Sequence, residues 1–268
     1  MSTLVVYSDT TGYIDSSGQG SSQYLPARAG TGNQGFTVNT IGGLIVGQDV
    51  VAGINYFSVW ETFLTFDTST VGSGSVSAAV LNLTSQGDNS TTNFTVEARL
   101  SDWGTGLTGA DWIAGASLSA LTLLAHHDTA SGFVANTAYD FTDDAFPANV
   151  NKTGSTRFLL SSSRTISAAA PTGQEYVVLY GVDEAGTTRD PKLTVTYAAG
   201  GRTPDGSGPT INAVLAKSAS GTFTASAAIK RNQSGSLTFN AVIKASVTGT
   251  KTADAIRLRT FHFGSGVW

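Results

Sequence analysis

The chain has 268 residues and no cysteine, so it can form neither a disulfide framework nor a thiolate metal site. It has one methionine, and only 13% of its residues are charged. It lacks the long Glu-, Lys-, Ala- and Leu-rich stretches from which solvated helices are made. The longest apolar stretch, residues 43–54, is broken by Gln48 and Asp49, too short and too polar for a membrane-spanning helix. The first twelve residues, MSTLVVYSDTTG, have no basic segment and no apolar run, so no signal peptide is expected. There is no Gly-x-Ser-x-Gly elbow, no His-Glu-x-x-His and no phosphate-binding loop, and no enzyme is expected.

What the chain does contain is 31 glycines and a surface made of Ser, Thr and Asn. Short apolar runs separated by turn residues point to an all-β protein. Residues 60–84 carry the clearest pattern. Trp60, Thr62, Leu64 and Phe66 alternate with Glu61, Phe63, Thr65 and Asp67. A Ser/Thr/Gly turn follows, then a second alternating run from Val76. Both strands carry apolar residues on both faces, as central strands of a two-layered sandwich do, with Trp60 expected as the largest core side chain.

Further strands are expected at residues 4–7, 93–100, 138–141, 157–161, 176–181 and 193–197, the last two as a closing pair. Residues 16–35 read as a surface loop and 36–51 as a hairpin turning at Gly42-Gly43. Residues 102–124 are the least strand-like, with a short helix or an extended excursion over 116–124.

Residues 198–209, AAGGRTPDGSGP, have linker composition. Beyond them a 14-residue period runs through TINAVLAKSASGTF, TASAAIKRNQSGSL, TFNAVIKASVTGTK and a degenerate fourth copy. Phe223, Ile229, Leu237, Phe239 and Ile243 fall on one face of the repeated strand, with Thr224, Lys230 and Lys244 on the other. Such short strands bury too little apolar area to offset their ordering cost alone. They are expected to pack on other surfaces, as an assembly segment that ends on Trp268. Charge divides the same way. Residues 1–200 hold 7 Lys+Arg and 17 Asp+Glu, and residues 201–268 hold 8 and 2. The tail's cations are spread through the repeats rather than clustered, which argues against nucleic acid as a partner.

The stretches Asn33-Gln34-Gly35, Gly47, ETFLTFDTSTVGSGSVSAAVLNLT (61–84), VEARL (96–100), YDFT (139–142) and RDPKLTVTY (189–197) resemble the DNRLRE-type β-sandwich domains. These are related in fold to carbohydrate-binding jelly-roll modules. The chain departs from that pattern at Trp60-Glu61, where the family usually carries Arg, and at Trp103, followed here by Gly104-Thr105-Gly106. The tail is similar to Ala-Val-Leu-Lys plus Ser-Gly repeats of bacteriophage tail and virion proteins. Together the resemblances imply a jelly-roll-like sandwich over 1–197 and a repetitive β segment over 210–268. The implied protein is a non-enzymatic virion component: a tail or fibre part, or a head decoration, assembled in the host cytoplasm. Its implied partners are other virion proteins and further copies of itself, a trimer by analogy with tail appendages, with a host-surface glycan as ligand. A carbohydrate-binding or adhesion module of a cell-surface or secreted system is the alternative.

The residues singled out for sugar binding are Trp103 and Trp112 with Asp102 and Asp111, since aromatic faces stack on sugar rings and carboxylates accept from hydroxyls. Both Trp would serve equally as caps on the core. His126 and His127 are adjacent on an extended chain, point to opposite faces, and do not suit one metal. No cofactor is expected beyond a structural Ca2+, which would lie at the acidic turn pairs Asp88-Asn89, Asp143-Asp144 or Asp183-Glu184.

Overall fold

The computed structural model describes residues 1–199 other than 41, 42, 105, 144 and 183–185. The expected repeats, with Phe223, Ile229, Leu237, Phe239, Ile243 and Trp268, lie outside the described residues.

The fold is all-β and antiparallel. Its strands are β1 (Ser2–Tyr7), β2 (Thr10–Gln19), β3 (Gly35–Asn39), β4 (Leu44–Val51), β5 (Tyr56–Asp67), β6 (Ser75–Asp88), β7 (Thr95–Leu100), β8 (Leu123–Asp128), β9 (Ala138–Phe141), β10 (Ser155–Ser162), β11 (Glu175–Leu179) and β12 (Lys192–Ala198). Two short helices interrupt them, α1 (Tyr24–Ala29) and α2 (Ser163–Ile166). No helix among the described residues is long and apolar enough to cross a membrane.

β5 organises the layers. One edge pairs with β2 along its length. The other edge pairs with β4 over Tyr56 to Trp60, then with β10 over Thr62 to Asp67. One branch continues through β10, β7 and β8, and the other through β4, β11 and β6 to β12 and β1. The branches then face each other. Leu64, Phe66, Phe158 and Leu160 share one core with Leu44, Val46, Val177, Leu179, Leu81 and Leu193. Each such side chain, fully buried, contributes roughly 1.5–3 kcal/mol.

β5 and β6 confirm the strand–turn–strand reading of residues 60–84. Three expectations are corrected. Residues 16–35 are no simple loop, since β2 runs to Gln19 and α1 follows, ended by Gly30 at φ 80°. β3 and β4 do not form a hairpin: β3 pairs with β2, while β4 pairs with β5 and β11. β11 and β12 are not a pair, because β6 lies between them. Local alternation marks a strand but does not choose its neighbour.

A second, smaller core covers the outer face of β5 and β10. Ile14, Phe63 and Leu159 pack there against Trp103 and Leu118 from the irregular residues 101–122. Those residues form short 3-10 turns at Gly109–Asp111 and Leu118–Ala120.

Candidate functional site

The four residues read from sequence as a sugar site have separate tasks. Trp103 is 6% exposed and meets Phe63 edge-on, ring centroids 5.8 Å apart. Trp112 packs against Phe36 at 5.7 Å. Asp111 caps its own turn by accepting from the Thr108 N–H at 2.7 Å and the Thr108 hydroxyl at 3.0 Å. Asp102 is exposed and accepts from Arg157 at 2.6 Å. The core-capping alternative describes Trp103, and Trp112 packs partly buried against the small core and against the Tyr24–Phe57 cluster.

A different group of aromatic and acidic residues shares one face of the sheet. Strand register puts them there: Asp15 lies opposite Trp60, Trp60 opposite Gly47, and Gly47 opposite Tyr176. In the next row on the same face, Ser17 lies opposite Ser58 and Ser58 opposite Asp49. Register partners project to the same side of a sheet, and so do residues two apart on one strand. Trp60, Tyr176, Asp15 and Asp49 are all partly exposed. Trp60 is therefore not the core side chain the pattern suggests. β5 turns Leu64 and Phe66 of the same face into the core, but Trp60 lies where β4 is still beside β5 rather than over it.

Gly47 makes the aromatic pair fit. Its φ is 137°, and a Cβ there would lie 2.2 Å from the Glu175 carbonyl and 2.6 Å from the Tyr176 Cα. A bare backbone lets the Trp60 and Tyr176 rings approach across it, with centroids 5.1 Å apart and planes at 60°.

The carboxylates beside this pair are under-satisfied. Asp15 Oδ1 and Asp49 Oδ1 are buried and meet no hydrogen-bond partner among the described residues. Burial raises the Asp15 carboxyl to about 6, against a smaller lowering by the Ser58 hydroxyl. Burial also raises Asp49, opposed by the Val50 N–H and reinforced by Glu175. The Tyr176 hydroxyl is raised by burial and by the charge of Asp49. Around them, Tyr56 donates to the Ser17 hydroxyl at 3.0 Å, and Asn39 donates to the Tyr13 hydroxyl at 3.0 Å.

The opposite side of β4 and β11 holds this face in place. Gln48 and Glu175, neighbours in register, are fully buried there. Gln48 donates to Glu175 at 2.8 Å and to the Ala169 carbonyl at 2.7 Å, and it accepts from the Tyr24 hydroxyl at 2.9 Å. Arg164 donates to Glu175 at 2.6 Å, and Arg28 donates to the Thr165 and Ile166 carbonyls. This network ties α1 and α2 to the strands carrying Gly47 and Tyr176. Burial pushes the Tyr24 hydroxyl up to about 12, so it stays a donor.

A separate acid, Glu61, is fully buried on the outer face of β5. Its Oε2 accepts from the Ile113 N–H at 3.2 Å, and its Oε1 has no partner among the described residues. Burial raises its carboxyl well above the ordinary range.

His126 and His127 do point apart. His126 is exposed, with Nδ1 3.7 Å from Asp143, while His127 packs against Phe133, Tyr139 and Phe141. Among the residues named for Ca2+, Asp88 accepts from the Ser90 N–H and Asp143 from the Ala145 N–H. Asp144, Asp183 and Glu184 lie outside the described residues. Among the described residues no three His, Asp or Glu side chains converge to hold a metal.

Sequence reading missed the Asp15, Asp49, Trp60 and Tyr176 face because it is assembled from four strands. The one available signal was the carboxylate of Asp49 interrupting the apolar run of β4; Asp15 stands in the largely polar β2 and leaves no such mark. No family model matches the chain, and no curated protein matches it.

Proposed function

We propose that this chain is a non-enzymatic structural protein of a bacteriophage virion, a tail or fibre component or a head decoration. Its sandwich binds a host-surface saccharide, and residues 210–268 serve oligomerisation, as a trimer, or docking onto other virion proteins. The observation that carries the binding role is the partly exposed Trp60–Tyr176 pair flanked by Asp15 and Asp49, each with an unpartnered buried oxygen. Aromatic rings stack on the apolar face of a pyranose, and carboxylate oxygens accept from its hydroxyls. The virion role is supported by the tail's resemblance to phage repeats and by the excess of cations in residues 201–268 over an acidic sandwich.

Two measurements test it. On a glycan panel, the full chain binds saccharide and Trp60→Ala does not. In light scattering, the chain is a trimer, and Phe239→Asp with Ile243→Asp reduces it to a monomer. A saccharide-binding chain that is monomeric with its repeats intact points instead to an adhesion module. A chain that binds nothing on the panel overturns the saccharide role.

A further inference from the structure

We propose that the ligand of the Trp60 face is an amino sugar, a pyranoside bearing a protonated amine, in preference to a neutral or an anionic one. This rests on the saccharide-binding reading above and sharpens it.

The argument is one of charge and its compensation. β2 and β4 flank β5, so the strands carrying Asp15 and Asp49 are about 10 Å apart. Asp49 is the register partner of Ser58, and Asp15 lies one row away beside Trp60, so both belong to the same face. The arginines of the sandwich are engaged elsewhere. Arg164 pairs with Glu175, Arg157 with Asp102 and Arg99 with Glu97. Arg28 binds two carbonyls, and Arg189 lies 4.7 Å over the Tyr180 ring. Glu175, the third carboxylate near the face, has its own cation; Asp15 and Asp49 have no salt-bridge partner among the described residues. Partly desolvated carboxylates without a counter-charge are costly, and a ligand that supplies one gains what the protein lacks.

A neutral sugar would offer hydroxyl donors to the partly exposed Asp15 and Asp49 carboxylates but leave both charges uncompensated. A uronic or sialic acid would add a third, and like charges brought together repel. An ammonium group supplies N–H donors and compensates charge in one contact, and charge-assisted hydrogen bonds are about twice as strong as neutral ones. The Trp60 and Tyr176 rings suit the same ligand, since their faces attract both the sugar's apolar face and a cation. A bare lysine ammonium would meet the carboxylates but offer no ring to stack on this pair.

The test is titration calorimetry of the full chain near neutral pH with four probes. These are a β-1,4-linked glucosamine pentamer, its fully N-acetylated counterpart, an oligogalacturonate pentamer and a lysine pentapeptide. The glucosamine pentamer is expected to bind about tenfold tighter than the acetylated one. No binding is expected from the other two. Added salt should weaken the first affinity more than the second. Asp49→Asn should bring the two pentamers within about twofold of each other, and Trp60→Ala should remove both. Equal or tighter binding of the acetylated pentamer overturns the amino-sugar assignment and leaves the saccharide face standing. Equal binding of the lysine peptide also overturns it, reducing the face to an ammonium site. Binding of none of the four, with none on the glycan panel, overturns the saccharide reading and this inference with it.

Discussion

The Trp60 and Tyr176 rings meet 5.1 Å apart across Gly47, the register partner of both residues. One glycine therefore holds two strands close and brings two side chains together. Gly47→Ala would place a methyl group 2.2 Å from a backbone oxygen at a φ of 137°. A loss of about 2–4 kcal/mol is expected in chemical denaturation. A neutral result would show that β4 and β11 can part without cost.

Trp103 and Trp60 should separate folding from the proposed binding. Trp103 fills the small core against Phe63 and Leu118, so Trp103→Ala should cost about 3–5 kcal/mol through the cavity it leaves. Trp60→Ala, at a partly exposed site, should cost about 1–2 kcal/mol and abolish saccharide binding. Denaturation curves and binding isotherms on both variants check this. Binding lost through Trp103 with Trp60 silent would move the site to residues 101–122.

Stability should fall as pH rises from acid toward neutral, in the window set by Asp15. Its carboxyl lies at about 6 in the fold against 3.8 ordinarily. Below the lower value both states are protonated, and the folded state is unpenalised. Between the two the unfolded chain releases its proton first, so stability is lost, by about 3 kcal/mol once pH exceeds 6. Glu61 acts with the same sign, from its ordinary 4.5 upward. Asp15→Asn and Glu61→Gln should each flatten the decline in melting temperature between pH 4 and 8. Slopes unchanged in both variants would rule out buried carboxyls as its source.

Glu175 depends on Arg164. The acid is fully buried and the arginine donates to it at 2.6 Å. Arg164→Ala leaves a buried charge whose remaining hydrogen-bond partners among the described residues are Gln48 and the Thr172 N–H, and a loss of about 3–5 kcal/mol is expected. The double variant with Glu175→Gln should recover much of it, because the stranded charge is gone. No recovery in a double-mutant cycle would mean that Arg164 acts through packing alone.

The fold class was legible because alternation is local. Phe94, Val96 and Ala98 alternate along the run 93–100 expected as a strand, and all are buried in the main core. β9 at Ala138–Phe141 matches the run read as a strand. Pairing was not legible, since nothing in YVVLY or LTVTY says that β6 lies between them. The face was missed for the same reason: Asp15, Asp49, Trp60 and Tyr176 span more than 160 positions and meet only through register. Trp60 was read as core because a Trp in an apolar strand usually is. The branching of β5 between β4 and β10, which uncovers it, leaves no local mark.

That branching also governs the order in which the chain can fold. β5 needs residues from β2, β4 and β10, and β1 finds its partner in β12, near residue 198. Such distant pairings make folding slow. During synthesis the edge of β5 from Thr62 to Asp67 waits for Ser155–Ser162 to emerge. In that interval it exposes Phe63 and Phe66 on a strand with open hydrogen bonds, a template for pairing with a neighbouring chain. Soluble yield should therefore depend more on the rate of synthesis and on chaperone supply than on the stability of the finished sandwich.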